Sequence, residues 1–224
     1  MMENKHSEDD LKEVAAQLSC PKGEKGLKTA AMMNVSNIGM TKSAISAMVL
    51  QNGNQVLEIG PGNASHLEYL LQQAHNVGYT GADISALMIE EASKINAGFI
   101  ENKKAKFVLT ETEVLPFVSA GFDQVFTVNT IYFWKNPEQF LNEINRILKP
   151  KGIFTVCFAD QTFMETLPFT SYGFQLYSDH SAAALLKKAN FSIEKVASFT
   201  ENISNNIGQS VIRKYYVIRA IKKD

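Results

Sequence analysis

The chain has 224 residues, a length that fits one α/β domain with an additional segment. Its 22 basic and 23 acidic residues give a net charge of -1, so no charge excess favours nucleic acid or an anionic membrane as a partner. Two cysteines, Cys20 and Cys157, are too few for a disulfide framework and stand in no zinc-type spacing. We therefore expect a protein of a reducing, cytoplasmic compartment that holds no metal and acts on a small molecule.

The first fifty residues predict a helical segment. Residues 1–10 are polar, unlike a signal peptide, and no apolar run reaches the roughly 18 residues of a membrane span. Helical spacing of apolar residues predicts a helix over residues 8–18, which Pro21 should end. A methionine-rich stretch over residues 27–50 predicts two more helices, separated near residues 36–39. Its flexible thioethers either pack against the rest of the protein or let this segment, residues 1–50, cover an apolar pocket as a lid.

A glycine turn organises the remaining chain, residues 51–224, which we expect to form one domain. Residues 56–59 predict a short buried strand of a parallel sheet, and Gly60 and Gly62 let the backbone turn sharply beside a ligand. A helical pattern and a second short strand follow, and that strand ends on Asp83. In such units the glycines let the backbone approach a nucleotide, while an acid about twenty residues later accepts hydrogen bonds from ribose hydroxyls. The pattern predicts a nucleotide-like ligand.

Two polar residues next to this turn need an interpretation of their own. Glu58 lies within an otherwise apolar strand, and we interpret it as an acid that steadies the turn through nearby backbone amides. His66 follows the turn at the start of the next predicted helix, a position that favours a surface residue.

Polar side chains also follow two later predicted strands, at residues 105–109 and 122–128. Glu111 and Thr112 come shortly after the first of these strands, and Asn129 comes directly after the second. Because loops at the carboxyl ends of parallel strands form the ligand crevice, Glu111 and Thr112 are predicted to serve function rather than packing.

The C-terminal part adds a helix, an irregular stretch and a hairpin. Asn136 and Pro137 open a strongly amphipathic helix, and residues 153–158 predict a fifth buried strand. Residues 159–178 are aromatic and irregular, and a further helix follows them. Two last strands are joined by a polar connection that is too short for a crossover helix, so we predict an antiparallel hairpin at the end of the sheet.

Four motifs, taken in order, resemble those of class I S-adenosylmethionine-dependent methyltransferases. They are the glycine turn, Asp83, the acid and Leu-Pro-Phe of residues 111–117, and the Arg-x-Leu-Lys-Pro-x-Gly of residues 146–152. The resemblance runs from about residue 54 to the end, and it implies an α/β Rossmann-like three-layer sandwich. The implied sheet has seven mostly parallel strands in the order 3-2-1-4-5-7-6, with strand 7 antiparallel. Among these enzymes the chain is most similar to small-molecule methyltransferases of ubiquinone and menaquinone biosynthesis.

The resemblance also implies a site for S-adenosylmethionine. In it the glycines would pass under the cofactor, the acid at 83 would hold the ribose, and residues 111 and 112 would meet the adenine. An aspartate is more usual where this chain has Glu111. The full implied set is Glu58, Gly60, Pro61, Gly62, Asp83, Ile84, Glu111, Thr112 and Asn129.

The acceptor side is less defined by sequence. An aromatic cluster after the fourth predicted strand favours a substrate pocket, for which we predict Met33, Tyr132, Trp134 and Tyr172. Methyl transfer needs alignment and exclusion of water, and a base only if the acceptor must lose a proton. The candidates for such a catalytic group are Tyr132 and His180.

Two other functions compete with methyl transfer at this stage. A nicotinamide-dependent dehydrogenase would need a third small residue in the glycine motif, where this chain has Ser65. A regulatory protein could keep the cofactor pocket without turnover. The expected state is a monomer or homodimer.

Overall fold

A computed structural model describes residues 7–111, 114–204 and 210–223. Its strands are β1 (Gln55–Ile59), β2 (Gly78–Asp83), β3 (Ala105–Leu109), β4 (Phe122–Val128), β5 (Leu148–Ala159), β6 (Phe191–Ser204) and β7 (Ser210–Lys222). They form one sheet in the order β3-β2-β1-β4-β5-β7-β6. Strands β1 to β5 are parallel, and β7 pairs antiparallel with both β5 and β6. The predicted strand order and terminal hairpin are confirmed.

Helices flank this sheet. They are α1 (Glu8–Ser19), α2 (Gly23–Met48), α3 (Leu67–Leu71), α4 (Ala86–Ile95), α5 (Ala97–Glu101), α6 (Pro137–Ile147), α7 (Gln161–Met164) and α8 (Asp179–Lys188). The amphipathic pattern of α6 buries Phe140, Leu141, Ile144 and Ile147 against the core, as its spacing requires. In the described part of the chain, no helix has the length and apolar character that a membrane crossing needs.

Helix α2 corrects one expectation. The predicted break near residues 36–39 is absent, and one helix of 26 residues runs through this stretch. The buried guanidinium of Arg213 on β7 donates hydrogen bonds to the Ser36 carbonyl and to Asn37 Oδ1, at 2.5 and 2.9 Å. Gly39 packs directly against the Glu201 side chain of β6. Tertiary contacts therefore stabilise residues whose local preference is to end a helix.

The terminal hairpin is longer than its sequence pattern indicates. Strand β6 continues to Ser204 and pairs with β7 almost to its start, with Glu201 opposite Arg213. Arg213 donates hydrogen bonds to Glu201 Oε1 from both Nε and Nη2, at 3.1 and 2.7 Å. Because of this pairing, polar residues whose pattern predicts a loop instead lengthen the β6–β7 hairpin. The two strands of this hairpin contact α2.

Candidate functional site

A cavity of about 330 Å³ lies at the carboxyl ends of β1, β2 and β4. Its walls come from the glycine turn after β1, the end of β2, residues 128–135 after β4, and the polar face of α2. Most of the surface inside the cavity is apolar. Residues that contribute to it include Met33, Leu115, Phe133 and Trp134. A cavity of this size with few polar groups is typical of a small-molecule site.

The glycine turn forms one wall with a left-handed backbone. Gly60 and Gly62 have φ angles of 69° and 57°. A Cβ on Gly60 would strike the Thr130 side chain, whereas one on Gly62 would meet open space. Gly60 is therefore required for close packing as well as conformation, and Gly62 leaves room for a ligand to approach the backbone.

Asp83 stands at the end of β2, beside this turn. Its Oδ1 accepts a hydrogen bond from the Ser85 N–H at 2.9 Å, and its Oδ2 accepts one from the Gly62 N–H at 3.2 Å. Burial raises the pKa of Asp83 to about 6, although both backbone hydrogen bonds oppose that rise. Each carboxylate oxygen keeps a lone pair, so the group can accept two further hydrogen bonds from a ligand.

Glu58 lies beneath the turn and is 2 % exposed. Its Oε2 is hydrogen-bonded to His66 Nε2 at 2.8 Å and accepts from the Tyr79 hydroxyl at 2.5 Å. Burial lowers the pKa of His66, but the Glu58 carboxylate outweighs this effect and the net shift is upward. Two expectations are corrected: Glu58 is held by side chains rather than backbone amides, and His66 is buried at the cavity rather than on the surface.

Asn129 closes the other side of the cavity, at the end of β4. Its φ of 58° is unusual for a residue with a side chain. The side-chain Oδ1 accepts hydrogen bonds from the Ala159 N–H and the Tyr132 hydroxyl, at 3.3 and 3.1 Å. Its Nδ2 donates to the Met40 sulfur of α2 at 3.5 Å. The amide therefore links the strand end to the N-terminal helix.

Residues 57–156 match the family described as a methyltransferase domain. Their motifs lie in a sheet of the order that class I methyltransferases share, with the glycine turn and Asp83 at one cavity. This combination is similar to that of S-adenosylmethionine-dependent methyltransferases, and it supports methyl transfer with S-adenosylmethionine as the cofactor. The nicotinamide-dependent and non-catalytic alternatives are not favoured.

This chain is similar to three known proteins. It is 25% identical to the uncharacterized methyltransferase YdaC of Bacillus subtilis over 68% of this chain and 82% of that protein. It is 32% identical to the phthiotriol/phenolphthiotriol dimycocerosates methyltransferase of Mycobacterium tuberculosis, over 46% of this chain but only 36% of the relative. A solved S-adenosylmethionine-dependent methyltransferase from Aquifex aeolicus shares the fold, with a TM-score of 0.67 and 17% identity over 94% of this chain and 97% of that one.

The donor-side residues predicted from sequence mostly line the cavity at the carboxyl ends of the strands. Those that do are Glu58, Gly60, Pro61, Gly62, Asp83, Ile84 and Asn129. Glu111 does not, because its side chain is exposed outside the cavity, whereas the neighbouring Thr110 is buried and lines it. Thr112 lies outside the described residues. The structure therefore brings seven of the predicted residues together at one cavity and places Glu111 outside it.

Only some of the residues predicted for the acceptor side line the cavity. Met33 and Trp134 line the cavity. Tyr132 lies in the core behind it, where the hydroxyl accepts a hydrogen bond from the Ala159 N–H at 2.6 Å and burial raises its pKa far above the ordinary value. Tyr172 lies near Lys12 of α1 and is not a lining residue. The side chain of His180 is 93% exposed and bonded to Asp179. The structure thus supplies neither Tyr132 nor His180 as a base at the cavity.

Of the N-terminal segment, sequence reasoning named only Met33 as a pocket residue and missed the other residues that line the cavity. Leu18 and Pro21 line the cavity, and so do three polar residues of α2, Asn34, Asn37 and Thr41. Their spacing of three and four residues places these polar groups on one helix face. That spacing was readable, but a polar stripe on a helix most often faces solvent, so only the packing of α2 reveals its role.

Proposed function

We propose that this methyltransferase moves the methyl group of S-adenosylmethionine to a small acceptor with an apolar body, inside a cavity closed by its own N-terminal helices. The observation that carries the proposal is the composition of that cavity. One wall holds the glycine turn and Asp83, and the facing wall is α2 with Met33. An enclosed, mostly apolar space suits a small organic molecule better than a nucleic acid, whose phosphates need cations.

The donor side offers groups that match each part of S-adenosylmethionine. We assign the ribose hydroxyls to Asp83, whose free lone pairs accept hydrogen bonds, and the adenine to the apolar surface near Ile84 and Thr110. Gly60 and Gly62 expose backbone to the remaining part of the molecule. The Glu58 network supports the turn from below. The bound cofactor supplies an activated methyl group, so the protein needs to align the acceptor with it and exclude water.

Helices α1 and α2, which belong to residues 1–50, are proposed to form the lid of the site. Helix α2 packs on β4, β5 and β7, and α1 packs on α2. Arg213, and a 2.9 Å hydrogen bond between Ser43 and the Tyr215 hydroxyl, attach α2 to the terminal hairpin. This attachment supports a lid that moves little, with entry between α1 and the residues after β4. We further propose a cytoplasmic monomer or homodimer that does not act on nucleic acid.

The test is calorimetric titration of the full-length protein with S-adenosylmethionine, followed by measurement of S-adenosylhomocysteine release with a panel of small acceptors. We expect binding at one site per chain and release that depends on an apolar acceptor. Release only with DNA or RNA as acceptor would contradict the small-molecule proposal, and absence of cofactor binding would refute the donor site.

A further inference from the structure

Two asparagines on opposite walls of the cavity have fixed orientations. Asn37 lies on α2 and Asn129 follows β4, and both line the cavity. Met40, three residues after Asn37 and therefore on the same face of α2, contacts Asn129 Nδ2, so the two walls meet near these amides. A side-chain amide has one accepting oxygen and one donating nitrogen, and its partners decide which of these remains for a ligand.

Arg213 decides the orientation of Asn37. The guanidinium can only donate, so the group that faces it at 2.9 Å must be the amide oxygen. Arg213 is itself buried, and hydrogen bonds to Glu201 and to the Ser36 carbonyl hold it in place. Among the described residues the Asn37 nitrogen has no hydrogen-bond partner. Asn37 therefore presents N–H donors to the cavity.

Asn129 is fixed in the same sense. Its oxygen faces the Ala159 backbone N–H, which can only donate. Its nitrogen makes one weak contact with the Met40 sulfur, which leaves a second N–H available. The orientation of the Asn34 amide is not fixed in this way, because its partner, the Ser65 hydroxyl, can either donate or accept a hydrogen bond.

The charges around the cavity agree with these donors. Its two lining carboxylates both lie at the glycine turn, where Glu58 pairs with His66 and Asp83 accepts hydrogen bonds from two backbone N–H groups. Lys135 lines the mouth, is exposed, and has no ion-pair partner in the part of the chain that the structure describes. Away from the turn, the polar groups with a settled orientation are therefore donors and one cation.

We infer that the methyl acceptor is an oxyanion, a carboxylate or a phenolate, on an apolar body. The inference rests on the proposed function and names its substrate class. An oxyanion lone pair forms the new O–CH₃ bond while the methyl–sulfur bond breaks, and its electron pair stays on sulfur. The negative charge of the acceptor and the positive charge of the sulfonium disappear together, and no proton has to leave. This chemistry agrees with a cavity where neither Tyr132 nor His180 serves as a base.

The test is binding to the full-length protein saturated with S-adenosylhomocysteine, which prevents turnover. Octanoate and 4-nitrophenolate serve as the oxyanion probes, and octylamine serves as the cationic probe. The variant Asn37→Asp keeps the bond to Arg213 but replaces the N–H donors with a carboxylate oxygen. Asn76→Asp is the matched control, because Asn76 is exposed in a turn at the opposite end of the strands and makes the same charge change.

We expect at least one oxyanion probe to bind the unmodified protein and Asn76→Asp equally, and to bind Asn37→Asp about tenfold more weakly or worse. Octylamine should bind the unmodified protein more weakly than that probe. Asn37→Ala, which removes the donors without adding charge, should also weaken oxyanion binding and covers the case in which Asn37→Asp fails to fold. Equal oxyanion affinity in Asn37→Asp and Asn76→Asp, no oxyanion binding at all, or tighter binding of octylamine would overturn the inference. Loss of S-adenosylhomocysteine binding in the unmodified protein would instead refute the proposed function.

Discussion

The substitution Asp83→Asn tests the donor site most directly. It removes the negative charge while keeping the size of the side chain, so changes in affinity report on the ribose contact rather than on shape. Hydrogen bonds to a charged group contribute about 1.5–3 kcal/mol each, more than bonds to a neutral amide. Asparagine weakens both hydrogen bonds from the ribose hydroxyls, because the charge is lost and one acceptor oxygen is replaced by an NH₂ donor. Together these changes should reduce the binding free energy by about 2–3 kcal/mol. We expect the Kd for S-adenosylmethionine to rise roughly 30- to 150-fold.

The stability of the ligand-free protein should change much less. Burial moves the pKa of Asp83 from 3.8 to about 6, so holding the charge at neutral pH costs roughly 3 kcal/mol, and asparagine removes that cost. The amide has only one oxygen for the N–H groups of Gly62 and Ser85, and leaving one of them without an acceptor costs about 1–3 kcal/mol. The two effects oppose each other and leave a net change within about 2 kcal/mol.

The same carboxyl gives a pH dependence with a defined sign. Below a pH of about 6 the free protein carries a proton on Asp83, which must be released before the carboxylate can accept the ribose hydroxyls. Affinity should therefore fall as pH decreases through about 6, by up to about tenfold per unit. In the absence of ligand the raised pKa acts in the opposite direction, so the Asp83 contribution to stability decreases as pH rises from about 4 to about 6.

Calorimetric titration between pH 5 and pH 8 measures the affinity, and melting temperatures of the ligand-free protein recorded between pH 4 and pH 8 measure the stability. Asp179→Asn, at a partly buried carboxylate that contacts His180 and lies outside the cavity lining, is the matched control and should leave the Kd unchanged. A Kd for Asp83→Asn within threefold of the unmodified protein, or the same pH profile in both proteins, would refute the ribose assignment.

Two further predictions concern residues that the structure reassigns. His66→Ala leaves the buried Glu58 with a single donor, so urea unfolding should show a loss of about 3 kcal/mol, whereas His75→Ala at an exposed turn should change stability by less than about 0.5 kcal/mol. Glu111→Gln should leave the Kd for S-adenosylmethionine within about twofold, since its side chain is outside the cavity. Equal losses in the two histidine variants, or a large effect at Glu111, would contradict these placements.

The sheet could be predicted because its signals are local. Buried parallel strands are short apolar runs, a glycine turn needs left-handed backbone at Gly60 and Gly62, and the connection after β6 is too short for a helix. These features depend on neighbours in sequence, so they also placed Asp83 and Asn129 at the carboxyl edge of the sheet. The length of α2 escaped prediction because Arg213, 176 residues after Asn37, stabilises it.

The candidate site likewise has one part that the sequence predicts and another that depends on tertiary contacts. By itself the sequence predicted a nucleotide-like ligand, because the glycine turn and Asp83 belong to one continuous strand, turn, helix and strand unit, and the resemblance of four motifs indicated S-adenosylmethionine as that ligand. The tertiary structure alone decided what holds Glu58 and what lines the acceptor side of the cavity. Those decisions depend on contacts between distant segments, such as Tyr79 with Glu58 and α2 with the ends of the strands, and no local pattern in the chain specifies them.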